Sequence, residues 1–535
     1  MTQPRSTVWL VFMGVASGWG LFAVKLVTSF IRVRVLLSFL PDAEAGVWFT
    51  MVTILGYVQM LDFGAGVTLA RYVAYARAGH LPDVWAARPG REQLTAEQQS
   101  IADLIATVGR YFRAASAGAL GVFLVAGFLI LPGALGGSLP ADLMWAWVLI
   151  ALSGYLTLAG FTYTASLYGS NGVHLRDSVY AVTMLAGFGL MILFLSLGWG
   201  LIGVSLSLLI ETALRYWLHR LAVLRLYPFL RLRDAGRAQW ALLRAMLGPS
   251  VRMGIILVAE ALILQTDNVI IAARLGPAAV PNYNVAFQLG FTLLSLLLVI
   301  NTPLVSLAAS AHAERDEPRL RQMLSVNLRF GFSLMLLGAA LLAAFGDDVI
   351  ALWVGPARFV GFPVLWLILL VMTLEAFKVF HFRLVTATDS IPFVPWVVAA
   401  ALLNLAVSYA LAPRWGWLGV TFGTLFSQAV TSYWYVPYHT VRVMKFQARE
   451  YARLLLPVLA FGLAAVLAAQ MVSRGLDLTV GAQRPLAHLL AGVALVGLPA
   501  VAVAYRFLLL RAERDFLRAK ATMVLGRLQP AIRTR

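Results

Sequence analysis

Residues 56–73 read GYVQMLDFGAGVTLARYV, an apolar run that nevertheless holds a carboxylate, Asp62, and a guanidinium, Arg71. Other apolar runs do the same. Lys25 and Arg32 share one, Glu260 and Asp267 another, Glu211 and Arg215 a third, and a fourth carries Glu375, Lys378, His381 and Arg383 in the stretch EAFKVFHFR. A charged side chain facing lipid at mid-bilayer costs about 2.5–3.5 kcal/mol even on the lenient insertion scale. Such groups therefore face a helix-bundle interior or a water-filled cavity. Nine residues turn a helix by about 900°, so Asp62 and Arg71 point in roughly opposite directions and cannot pair with each other. Each needs a partner on another helix, or water. Glu211 and Arg215 stand i,i+4 and can pair along their own helix, as can Glu375 and Lys378 at i,i+3. The carboxylates Asp62, Glu260 and Asp267 suit ion coupling or gating, because burial and a neighbouring cation set when they ionise. An interhelical salt bridge that only fixes packing is the alternative for each.

These charges matter because the surrounding chain is so apolar. Of 535 residues 61% are hydrophobic and 12% charged, with a mean hydropathy of +0.82. A soluble domain carries roughly a quarter charged residues. Runs of about 20 apolar residues, each able to cross a hydrocarbon core of ~30 Å, recur throughout, without the strict alternation of a barrel. The expectation is an all-α polytopic membrane protein. Its spans fall near 14–37, 47–75, 105–131, 142–168, 177–198, 200–223, 248–273, 283–311, 324–353, 362–386, 393–412, 417–440, 451–472 and 486–510, about fourteen in all. The division between 177–198 and 200–223 rests on Gly198-Trp199-Gly200. No cleavable signal peptide is evident at the N-terminus, so the first span doubles as the insertion signal. Lys and Arg crowd the loops that face the cytoplasm when the N-terminus is inside, among them Arg225, Arg231, Arg233, Arg237 and Arg244, and the tail after residue 505. That bias places both termini in the cytoplasm and accounts for most of the +18 net charge without nucleic acid. Trp48, Trp145, Trp147, Trp353 and Trp417 near span ends read as interfacial anchors.

Several chemistries are excluded. There are no cysteines, hence no disulfide or thiolate site, and the seven histidines form no metal-ligand spacing. No Walker A loop and no GxGxxG after a strand occurs, and no polar stretch is long enough for a nucleotide-binding domain. The chain reads as a transporter rather than an enzyme, with no cofactor and no metal.

An internal repeat organises the spans. LPDAEAGVW (40–48) between the first and second spans resembles LGPAAVPNY (275–283) between the seventh and eighth. The offset from Leu40 to Leu275 carries Lys25 onto Glu260 and Arg32 onto Asp267. Six spans separate the copies, so both halves enter the membrane in the same direction, as in parallel repeats. The layout is residues 1–224 as an N-terminal six-helix lobe, 225–247 as a basic cytoplasmic linker, 248–441 as a second six-helix lobe, and 442–535 as two further spans with a basic tail.

The turn LPDAEAGVW, the following LDFGAG and then ARY resemble the start of bacterial polysaccharide flippases, the O-antigen and exopolysaccharide unit transporters of the multidrug/oligosaccharidyl-lipid/polysaccharide superfamily. The similarity of pattern extends over about residues 10–450; Pro41 and Ala45 depart from the usual Leu-Gly-Pro…Tyr-Gly turn. The resemblance implies two pseudo-symmetric lobes in a V, alternately open to each side of a bacterial inner membrane. The cargo would be a polyprenyl-diphosphate-linked oligosaccharide. A diphosphate calls for cations, which makes Lys25, Arg32, Lys378 and Arg383 the substrate-binding candidates. Seven residues bring each repeat pair onto one helix face about 10 Å apart, so Lys25 would lie level with Glu260 and Arg32 with Asp267. In one state these pairs would close the cavity; in the other, phosphates would engage the cations and the carboxylates would take up protons. Expected partners are the lipid-linked substrate, a coupling H+ or Na+, the bilayer, and a polysaccharide polymerase and glycosyltransferases. A multidrug exporter of the same superfamily and a membrane glycosyltransferase or ligase are the competing readings.

Overall fold

The computed structural model describes residues 7–60, 65–77, 94–134, 140–231, 236–386, 392–479 and 484–508. Among the described residues, helices fall in every one of the fourteen expected spans. They are α1 (Thr7–Phe39), α2 (Asp42–Met60), α3 (Ala65–Arg77), α4 (Ala96–Ala134), α5 (Ala141–Gly169), α6 (Val173–Ser196) and α7 (Gly200–Leu226), then α8 (Trp240–Gln265), α9 (Asp267–Leu275), α10 (Val280–Ala313), α11 (Glu317–Val326), α12 (Ser333–Trp353) and α13 (Phe362–Val385). The last are α14 (Val394–Trp415), α15 (Trp417–Ala429), α16 (Ser432–Val443), α17 (Ala448–Thr479), α18 (Pro485–Gly492) and α19 (Leu498–Val503). Ten helical stretches among the described residues are long and apolar enough to cross a bilayer unaided. This is an all-helical, multi-pass membrane protein.

The anticipated break between α6 and α7 is present. Gly198 and Gly200 adopt φ of +79° and +49°, a region that side-chain-bearing residues rarely enter. Two other breaks have no such marker. The expected span 248–273 divides at Thr266, whose hydroxyl bonds Leu262 O, and 417–440 divides at Val430 and Thr431.

The chain packs as two compact units, residues 1–284 with 397–423, and residues 285–396 with 424–535. In the first, α5 is the central helix. Its buried face is rich in small residues, including Ser153, Gly154, Gly160, Ala165 and Ser166, which let neighbouring backbones approach. Gly169 shows how closely: an added Cβ would lie 2.3 Å from Ala70 O on α3. Trp147 corrects the anchor expectation. It is buried, stacks on Phe123 with centroids 4.3 Å apart and donates to Phe123 O, while Gly127 leaves room for its indole. Trp48 is buried as well, whereas Trp145 is exposed.

The two turns of the repeat meet in this unit. Gly46 lies against the short 3-10 turn Pro277–Ala279, and a Cβ there would sit 1.7 Å from Pro277 O. Ala substitution should force α2 away and cost about 1–3 kcal/mol, as overpacking does. Gly118, with open space around its Cα, should tolerate Ala. Thermal unfolding of the two variants in detergent checks this; equal midpoints would refute the close approach. In the second unit, Val-Gly-Pro-Ala-Arg at 354–358 repeats the Gly-Pro-Ala turn of 276–278, with Gly276 and Gly355 at φ of +91° and +99°.

Candidate functional site

A ladder of polar groups runs along α1, α6 and α7, which pack side by side in the first unit. At one end, Asp177 accepts two bonds from Arg176, at 2.9 and 2.6 Å, and one from Ser17 at 3.1 Å. His219 on α7 approaches Arg176 O at 3.2 Å. One to two turns further along, the Tyr180 ring is shared by two cations, Lys25 Nζ at 5.0 Å and Arg215 Cζ at 4.1 Å from its centroid. Beyond it, Glu211 is clasped by Arg215 from its own helix and by Arg32 from α1, the latter at 3.3 Å. The Arg215 Nε also donates to Thr183 Oγ1 at 3.3 Å. Ser17 to Arg32 spans roughly 22 Å of helix axis, most of a hydrocarbon core.

The charge balance of this ladder is one-sided. Arg176 and Asp177 neutralise each other. The upper part sets three cations, Lys25, Arg32 and Arg215, against the single carboxylate of Glu211. Glu211 is buried, with 6% of its side chain exposed, while Arg32 keeps 27% and Lys25 is open to its surroundings. Gly187 on α6 makes the arrangement possible, because a Cβ there would lie 2.5 Å from the Glu211 carboxylate. An anion arriving at Lys25 and Arg32 would meet uncompensated positive charge in apolar surroundings, where charge-assisted hydrogen bonds are strongest.

The other predicted site residues lie elsewhere. Arg32 meets Glu211 rather than Asp267, and the Lys25 ammonium rests on the Tyr180 ring rather than on Glu260, so the anticipated gate pairs are not formed in this conformation. Glu260 is half-buried on α8. Asp267, buried at the start of α9, accepts Tyr283 OH at 2.5 Å, and Thr421 in turn donates to that oxygen at 3.3 Å. Asp62 lies outside the described residues, and Arg71 is exposed on α3. In the second unit, Lys378 is buried in a polar network. Its ammonium lies 3.0 Å from Glu375 and 2.9 Å from Gln428 Oε1, and Gln428 donates to Tyr433 OH at 2.9 Å. Arg383 donates to Leu298 O at 2.8 Å.

No protein-family model matches the sequence, and no curated protein matches it either. Solved structures do. The lipid II flippase MurJ in an inward closed conformation aligns over 91% of this chain and 99% of its own, at 13% identity and a TM-score of 0.63. The chain shares the fold of that structure. An inward-facing multidrug resistance MATE family transporter of the MOP superfamily aligns over 79% of this chain and 96% of its own, at 12% identity and a TM-score of 0.62. A MOP superfamily transporter from Pyrococcus furiosus aligns over 82% and 96%, at 14% identity and a TM-score of 0.54.

Of the ladder, Lys25 and Arg32 are legible in the sequence as site candidates and Glu211 with Arg215 as a self-contained pair; Tyr180, Asp177 and the place of Arg176 beside them are not. A usable signal was present: Arg176, Tyr180, Thr183 and Gly187 fall at i, i+4, i+7 and i+11, which is one face of α6.

Proposed function

We propose that this chain is a flippase that carries a polyprenyl-diphosphate-linked oligosaccharide from the cytoplasmic to the outer leaflet of a bacterial inner membrane, with both termini in the cytoplasm. The observation that carries the reading is the cationic excess on α1 and α7: Lys25, Arg32 and Arg215 against Glu211. A diphosphate brings about two negative charges and suits that surplus. An organic cation, the cargo of a multidrug exporter, would be repelled by it. Lys25 and Arg32 take the diphosphate, the sugars occupy the aqueous path, and the polyprenyl tail stays in lipid. Arg383 and Lys378 serve the same cargo in the second unit. Alternating access is driven by H+ or Na+ exchange at Asp62, Glu260 and Asp267. No covalent step is needed, so the protein acts as a transporter; a polymerase and glycosyltransferases handle the glycan before and after it.

Deletion of the gene should trap lipid-linked repeat units in the inner leaflet and abolish a surface glycan. Complementation with Lys25→Gln should restore the protein to the membrane at normal thermal stability, because Lys25 makes no ion pair among the described residues. Its transport should fall by about tenfold or more, the worth of one charge-assisted bond. Normal surface polysaccharide in a deletion strain without a second flippase would refute the function. Full transport by Lys25→Gln would remove Lys25 from the site.

A further inference from the structure

A cavity of about 340 Å3 lies in the first unit away from the ladder, among α4, α5, α7 and the segment that follows α7. Its polar lining is Arg113, Arg220, Tyr163, Tyr216 and Thr162. Several observations show that these groups are arranged and not merely nearby. Arg113 folds back one turn along α4, so that its Nη1 lies 3.4 Å from where a Gly109 Cβ would be, beside Thr162. Thr162 is 3% exposed, and its buried hydroxyl has no hydrogen-bond partner among the described residues. An unsatisfied buried hydroxyl costs about 1–3 kcal/mol, a cost that a ligand oxygen would remove. Tyr163 and Tyr216 pack edge to face with centroids 5.4 Å apart.

Neither guanidinium is paired with a carboxylate among the described residues; Arg220 rests on the Trp217 ring at 5.0 Å. The acid closest in sequence to this lining, Asp103, is committed elsewhere. It accepts Arg237 N at 2.7 Å, Gln239 Nε2 at 2.8 Å and Gln99 Nε2 at 3.1 Å, and with Thr107, which accepts Gln239 N at 3.0 Å, it ties the linker down over α4. Gly236 lets the linker approach, since a Cβ there would lie 2.1 Å from Ala102 O. Leu230 and Gly236, on the segment after α7, thus form one wall of the cavity. Two guanidiniums without a carboxylate partner among the described residues, two phenols and an unsatisfied hydroxyl form a receptor for a tetrahedral oxyanion. The volume leaves room for a small headgroup, at the low end of ligand pockets of roughly 300–1,000 Å3.

We infer that this cavity is a phosphate site, distinct from the transport ladder, that takes the phosphate of an anionic membrane lipid through Arg113, Arg220 and Thr162. With the linker on the cytoplasmic side, as in the function proposed above, the mouth opens at the level of the inner-leaflet headgroups. A bound lipid would brace α4, α5 and α7 beneath the linker. Binding here needs no flipping, so it can be read separately from transport.

The test uses the purified full-length protein in nanodiscs of phosphatidylcholine alone or with added phosphatidylglycerol, reading the thermal midpoint and the lipids retained in native mass spectra. Phosphatidylglycerol should raise the midpoint of the unaltered protein and be retained. The Arg113→Gln/Arg220→Gln variant should lose the rise and retain at least about tenfold less of the lipid. Arg225→Gln/Arg231→Gln, which removes the same charge from exposed positions on the end of α7 and the turn after it, should keep both. If the double Gln variant fails to fold, Arg113→Lys/Arg220→Lys keeps the charge and should show an intermediate rise, and Thr162→Val a reduced one. Inorganic pyrophosphate added to the phosphatidylcholine discs separates the sources. A rise that pyrophosphate alone produces, and that phosphatidylglycerol does not increase, would support the phosphate site with a soluble ligand. An unchanged lipid effect in the pocket variants, or an equal loss in the Arg225/Arg231 control, would overturn the site while leaving the flippase reading untouched.

Discussion

Replacing Glu211 by Gln should abolish transport and lower stability by about 3–5 kcal/mol, the usual result of breaking a buried charged pair from one side. The reason lies in its two partners. Arg215 and Arg32 both hold the Glu211 carboxylate, and neither has another carboxylate among the described residues. Gln at 211 would leave two guanidiniums facing each other in apolar surroundings, with a third cation, Lys25, on the same Tyr180 ring as Arg215. Removing one guanidinium along with the acid should undo much of the damage, so Arg32→Gln/Glu211→Gln should regain most of the lost stability. It should not regain transport, because Arg32 is one of the cations assigned to the diphosphate. Thermal unfolding in detergent and a transport assay on inverted vesicles provide the two readouts. A stable, transporting Glu211→Gln protein would show that the carboxylate organises nothing, and a transporting double variant would show that Arg32 does not touch the cargo.

How far the sequence foretold this site depends on how local each interaction is. The helices were legible because a span needs about 20 apolar residues and the chain supplies them in clear runs. The break between α6 and α7 was legible from two glycines that the turn requires. Glu211 with Arg215, and Glu375 with Lys378, were legible because both partners lie within one turn of their own helix. Arg32 with Glu211 was not: 179 residues separate them, and only the packing of α1 beside α6 and α7 brings them together. The repeat suggested Asp267 as the partner of Arg32, and Asp267 bonds Tyr283 instead. The breaks at Thr266 and at Val430–Thr431 involve neither glycine nor proline, so nothing in the residue types announced them. Trp147 near a span end looked like an interfacial anchor; what buries it is Gly127 on another helix, a relation no linear pattern contains.

Lys378 carries the second large expected effect, because its setting differs from that of Lys25. Both Lys378 and Glu375 have only 2% of their side chains exposed, and the ammonium is held by Glu375 at 3.0 Å and Gln428 at 2.9 Å. Lys378→Met takes the ammonium away from a buried carboxylate and should cost about 3–5 kcal/mol; Glu375→Gln, which takes the carboxylate away from the buried ammonium, should cost a similar amount. The double variant Glu375→Gln/Lys378→Met removes both charges and should come back close to the stability of the parent protein, since neutral replacements of buried pairs are often tolerated. Gln428 would retain its bonds with Tyr433 and Ser432 and so would not be orphaned. Transport then separates the two roles open to Lys378. If the lysine only locks α13 to α15 and α16, transport should return with stability in the double variant. If it leaves Glu375 to meet the diphosphate when the second unit changes conformation, as the proposed function requires, the double variant should fold and remain inactive. A double variant as unstable as either single one would mean that the Gln428–Tyr433 network depends on the ammonium itself.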